Sequence, residues 1–121
     1  MGLPLHFMIL KICFFSFGIF SLFSCSKNQG SPQTQEDLVA QGRAIYTTQC
    51  TICHHPDPTK DGPVGPAISG SSKELVEARL LHQSYPPGYQ PKRPTHVMPA
   101  FPYLQKDIEA LVLFLESSAQ L

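Results

Sequence analysis

The stretch YTTQCTICHHPD, Tyr46 to Asp57, constrains this chain more than any other part of it. It sets two cysteines three positions apart and follows the second at once with two histidines. A thioredoxin-like redox pair belongs beside a strand–helix–strand pattern, and no segment here reads convincingly as a strand. A disulfide between Cys50 and Cys53 would close so small a loop that it adds little to stability. Structural zinc requires four Cys or His ligands around a tetrahedral ion. Cys50, Cys53, His54 and His55 have the right atoms, but four nearly consecutive residues cannot surround one ion.

The remaining reading is the C-x-x-C-H signature of c-type haem attachment. Positions i and i+3 of a helical turn share a face. Cys50 and Cys53 can therefore each form a thioether to one vinyl group along the same porphyrin edge, with His54 beneath the iron as proximal ligand. The expected cofactor is one haem c, covalent through Cys50 and Cys53. A chain of 121 residues has room for one domain. Its folded part, 35–121, is short enough that a core of side chains alone is thin, and domains of that size usually need a disulfide, metal or cofactor as a staple.

Residues 1–24 read as an export signal. Lys11 is the clear charge before the apolar run ICFFSFGIFSLF, Ile12 to Phe23. A largely apolar run of twelve residues falls short of the roughly 20 that a spanning helix requires and matches a signal-peptide core. SLFSC, Ser21 to Cys25, resembles the lipobox of bacterial lipoprotein signals and makes Cys25 the expected lipid-attachment residue. Ordinary cleavage just past Cys25, and retention of Leu3 to Phe23 as a span, are the alternatives; each of the three exports the domain. Residues 25–34, without an apolar side chain after Cys25, form a flexible tether.

Within the domain the apolar spacing is helical. Ile108, Leu111, Val112 and Leu115 form one stripe of an amphipathic helix, and Leu38, Gly42, Ile45 and Tyr46 have the same spacing. Glycine inside a helix costs about 0.5–1 kcal/mol relative to alanine, so Gly42 is expected where another helix passes close. Ser72 reads as the N-cap of a middle helix carrying Leu75, Val76 and Leu80.

From roughly Leu38 to Leu115 the chain resembles a small bacterial class I, single-haem c-type cytochrome. The resemblance lies in GRAIYTTQCTICH with Gly42 and Tyr46, in GPAI from Gly65, in HVMPAF from His96, and in DIEALVLFL from Asp107, in that order. It implies an all-α fold, a small cytochrome c fold of three to four helices around a covalently bound haem, with a Pro-rich distal loop. It implies that Pro66 lends its carbonyl to the Nδ1–H of His54, that Met98 is the distal ligand, and that Gly42 meets the closing helix around Leu111 and Phe114. Met98 is the one methionine outside the signal, and it lies in SYPPGYQPKRPTHVMPAFPYL, Ser84 to Leu104, which has six prolines in 21 residues. Prolines stiffen such a loop without making it helical, as suits a weak thioether held against iron. A gap-filling core methionine is the plainer alternative.

Among the other histidines, His55 points away from the iron, as a surface residue or a hydrogen-bond partner near the haem edge. His82 falls late in the middle helix. His96 is the one competitor to Met98, and bis-histidine ligation would lower the potential that a Met/His pair raises. Tyr85, Tyr89, Lys92 and Arg93 are candidate partners of the haem propionates.

Charge is balanced, with nine basic and nine acidic residues, and without Lys11 it falls to about −1. Nothing marks a nucleic-acid partner, and any steering toward a protein must come from local patches. With both axial positions filled, no site remains for oxygen, peroxide or substrate. The expected function is that of an electron carrier and not an enzyme. The alternatives are a haem subunit of a larger oxidoreductase complex, and a peroxidase or gas sensor with an open distal position. The resemblance implies redox partner proteins: a quinol-oxidising complex or dehydrogenase as donor, and a terminal oxidase or reductase as acceptor. The expected location is the periplasmic side of a bacterial membrane, inner or outer, with the membrane reached through lipid on Cys25.

Overall fold

In the computed structural model, residues 32–95 and 97–120 are described. The signal, Cys25, most of the tether and His96 lie outside them. Helix α1, Gln35–Ile45, begins at a capping box: the Thr34 hydroxyl accepts from Asp37 N–H at 3.2 Å, and the Asp37 carboxylate accepts from Thr34 N–H at 3.0 Å. Glu36 and Asp37 in the first turn and Arg43 in the last complement the helix dipole.

α1 does not stop at Ile45 but widens into a π-helical turn, Tyr46–Cys50. The hydroxyls of Thr47, Thr48 and Thr51 donate to carbonyls four residues earlier, at 2.8, 2.9 and 2.8 Å. Such back-bonding loosens a helix, and single π turns gather at functional sites. The chain then folds over the Cys50 carbonyl, which accepts from Cys53 N–H at 3.1 Å and His54 N–H at 2.9 Å.

Helix α2, Lys73–His82, starts at Ser72, whose hydroxyl accepts from Leu75 N–H at 3.3 Å. A 3₁₀ turn, Pro102–Asp107, leads into α3, Ile108–Ser118. The described residues contain these helices and no strand, an all-α fold with the proline-rich segment 84–101 joining α2 to the 3₁₀ turn. No helix among the described residues is long and apolar enough to cross a membrane.

The core is one cluster. α3 contributes Ile108, Leu111, Val112, Phe114 and Leu115, α2 contributes Val76 and Leu80, and Tyr46 and Leu104 complete it. α1 lies across α3, with the Tyr46 and Phe114 rings tilted at 50° and 5.3 Å between centroids. Gly42 is buried at that crossing. A methyl group there would run into the Ala110 carbonyl and stand 2.9 Å from Phe114 Cβ. The first obstacle is backbone, which cannot rotate aside. Gly42→Ala is therefore expected to cost roughly 1–3 kcal/mol by overpacking, against the 0.5–1 kcal/mol that alanine gains in an open helix. Denaturant unfolding would check this, and unchanged or higher stability would contradict the packing.

Candidate functional site

One cleft runs between α2, the segment after the second cysteine and the proline-rich loop, and Cys50, Cys53, His54, Pro66 and Met98 all line it. Its walls are chiefly apolar, with Val76, Leu80, Leu111 and Leu115 shared with the core. His54 is 6% exposed. Its Nδ1 lies 2.9 Å from the Pro66 carbonyl. A carbonyl only accepts, so Nδ1 carries the proton and the lone pair is on Nε2. Burial pushes the imidazole below its ordinary pKa, Arg93 adds to that, and the Pro66 bond opposes it. The result is a neutral, oriented imidazole with one ligating nitrogen, the arrangement seen when a second group fixes a metal-binding histidine.

Glycine makes this seat possible. Gly65 is buried against the His54 ring, and a methyl group there would lie 2.5 Å from Nδ1. The Gly62–Gly65 turn is pinned to the cysteine segment by Val64 N–H and Gly65 N–H, which donate to the Cys53 carbonyl at 3.2 and 2.8 Å. Spacing alone did not reveal the steric role of Gly65; the signal was a second small residue three positions after Gly62, directly before Pro66.

Cys50 is not set up as the attacking thiol of a redox pair. Burial, with Cys53 next to it, pushes the Cys50 thiol up to about 11. A disulfide-exchanging thiol needs a depressed pKa. Among the described residues no group of three or more His, Cys, Asp or Glu side chains is placed to hold a metal ion, so the zinc arrangement is absent there. Two thiols, one oriented imidazole and an apolar cleft fit a c-type haem.

His55 lies outside this cleft. Its carbonyl accepts from the Tyr46 hydroxyl at 2.5 Å, and its Nδ1 accepts from Asp57 N–H at 2.9 Å. It closes the turn behind the haem motif. His82 is exposed at the end of α2. Met98 packs against the core, and its carbonyl accepts from Gln83 Nε2–H at 3.1 Å. Gln83 itself caps α2 in the left-handed conformation, at φ 50°.

Tyr85, Tyr89, Lys92 and Arg93 line the cleft too. The two tyrosine rings stack at 5.4 Å. Lys92 donates to the Ala67 carbonyl at 2.7 Å, and Arg93 donates to the Val64 carbonyl at 2.8 Å and the Gly62 carbonyl at 3.3 Å while pairing with Asp61. These two cations stitch the proline-rich loop to the loop bearing Pro66.

A family model described as Cytochrome c matches residues 39–119. No curated protein matches, and no solved structure matches. Gly65→Ala would press a methyl group into the imidazole and is expected to lower stability by roughly 1–3 kcal/mol while shifting the visible spectrum. Thermal unfolding and absorption of the purified protein check this; wild-type values in both would contradict the seat described for His54.

Proposed function

The chain belongs to the cytochrome c family, and from that premise we propose that it shuttles single electrons between a membrane-bound donor and a terminal acceptor, with His54 and Met98 as axial ligands. Membership makes it a haem protein, with haem c attached through Cys50 and Cys53, and a carrier of electrons in the general sense. When bound, the haem supplies an iron that exchanges one electron between Fe(III) and Fe(II).

The observation that carries the axial assignment is the shared cleft. His54 enters it as a neutral imidazole steered by Pro66, and Met98 lines the same space from a loop anchored at its carbonyl by Gln83. A Met/His pair raises the potential of a haem and leaves no position for an exogenous ligand. Val76, Leu80, Leu111 and Leu115 keep water from the ring, which lowers the reorganisation that each electron transfer demands.

Partner contact is supported by the side chains around the cysteines. Ile52, between them, is 79% exposed, and Val97, next to Met98, is 65% exposed. Apolar residues presented singly near the cleft suit small, brief contacts. The donor is a quinol-oxidising complex or a dehydrogenase, and the acceptor an oxidase or reductase. Lipid on Cys25 would hold the domain at the periplasmic face of a membrane on the tether 25–34 and raise its effective concentration there.

Met98→Ala is expected to abolish the methionine–iron charge-transfer band, to lower the potential by on the order of 0.1 V, well within the span that axial ligands command, and to let carbon monoxide bind the reduced protein. Redox titration and optical spectra measure all three. A variant with wild-type potential and spectrum would refute Met98 as ligand, and wild-type protein that already binds carbon monoxide would favour an enzyme or sensor.

A further inference from the structure

The hydrogen bonding that orients His54 does not end at Pro66. The Pro66 carbonyl, 2.9 Å from His54 Nδ1, shares one peptide group with the Ala67 N–H. That N–H donates to Asp61 Oδ1 at 2.7 Å. A peptide group is planar and its C–N bond is partly double, so charge drawn to one end is felt at the other. The path from imidazole to carboxylate is therefore unbroken: Nδ1–H to carbonyl, then N–H to Asp61.

Asp61 carries a charge at neutral pH. Chiefly the Ala67 N–H holds its carboxyl below the usual carboxylate range, with Arg93 and Lys92 acting the same way and desolvation opposing them. Its other oxygen, Oδ2, lies 3.6 Å from Arg93 Nη2. Arg93 also bonds the Val64 and Gly62 carbonyls, and Lys92 bonds the Ala67 carbonyl. The segment 61–67 is thus fastened on both sides of the Pro66–Ala67 peptide. Through space the carboxylate has little reach, because its side chain is 66% exposed and salt screens such a charge. Through the bonds only two links separate it from the ring, and each link of such a chain strengthens its neighbour by roughly 10–30%.

We propose that Asp61 is a positioning residue for His54, acting through the Pro66–Ala67 peptide to strengthen the Nδ1–H bond and make Nε2 a better electron donor. This rests on the reading of His54 as the proximal ligand. Partners that accept from the far nitrogen of a ligating imidazole raise its basicity. A more basic Nε2 favours the higher charge on a metal, so Asp61 lowers the potential of the centre from outside the cleft. The Asp61→Asn variant keeps an oxygen for the Ala67 N–H, but a neutral acceptor makes the weaker bond.

The test compares wild-type and Asp61→Asn holoprotein, matured in the cell, by redox titration and by nuclear magnetic resonance of the reduced form. In the variant the protons on His54 Nδ1 and Ala67 N are expected to move upfield. The potential is expected to rise, both at low salt and in about 1 M salt, where exposed charges are screened. If Asp61 only shaped its loop, or acted only as a charge beside Arg93, the His54 Nδ1–H signal would stay in place. An unmoved signal therefore overturns the proposal whatever the potential does, and so does an unchanged potential. Should Asp61→Asn fail to mature, the wild type decides: scalar coupling between the Ala67 nitrogen and the Asp61 carboxylate carbon supports the chain of bonds, and its absence overturns it. Wild-type His54 ring protons without the ring-current shift of a haem ligand would overturn the proximal reading itself, and this proposal with it.

Discussion

The residues that form the core of this fold also form the wall of its cleft, and that double duty governs the rest. Val76, Leu80, Leu111 and Leu115 belong to the core cluster, and each also lines the cleft. A domain this small is marginal on its own apolar burial. A flat apolar ring bonded to Cys50 and Cys53 would extend that core into the cleft. The apolar burial that stabilises the fold would then include the haem as well as the side chains, as in other small domains stabilised by what they bind.

Around that centre the polypeptide invests in orientation. Pro66 and Gly65 act from one loop: the first directs the proton of His54, the second leaves room for its ring. The opposite loop is stiffened by its prolines and fastened at several places. Gln83 holds the Met98 carbonyl, Phe101 N–H donates to the Leu80 carbonyl at 2.6 Å, and Lys92 and Arg93 reach across to the Pro66 loop. Bonds of this kind contribute only about 1 kcal/mol each to stability. Their larger effect is to reduce the number of positions that Met98 can take, as its proposed role as a weak thioether ligand requires.

Much of this was legible in the chain. The period of Ile108, Leu111, Val112 and Leu115 gives α3, the Ser72 start gives α2, and the awkward Gly42 points to a helix crossing, because each depends on local geometry that recurs wherever such residues occur. The crossing partner proved to be the Ala110 backbone as much as Phe114. What stayed hidden depended on contacts between distant segments. Lys92 and Arg93 read as candidate propionate partners, and nothing in the chain announced that they would bond the loop containing residues 61–67. His55, read as a surface residue or a hydrogen-bond partner near the haem edge, acts through its carbonyl and ring nitrogen in the turn after the second cysteine.

The central claim is that covalent haem on Cys50 and Cys53 completes this core. Intact-mass spectrometry under denaturing, reducing conditions tests it most directly, on protein matured in cells that attach haem. The account predicts a chain heavier than its polypeptide by one haem, with the added mass mapping to the peptide containing Cys50 and Cys53. A bare polypeptide mass, from a chain that is nonetheless folded, would contradict it.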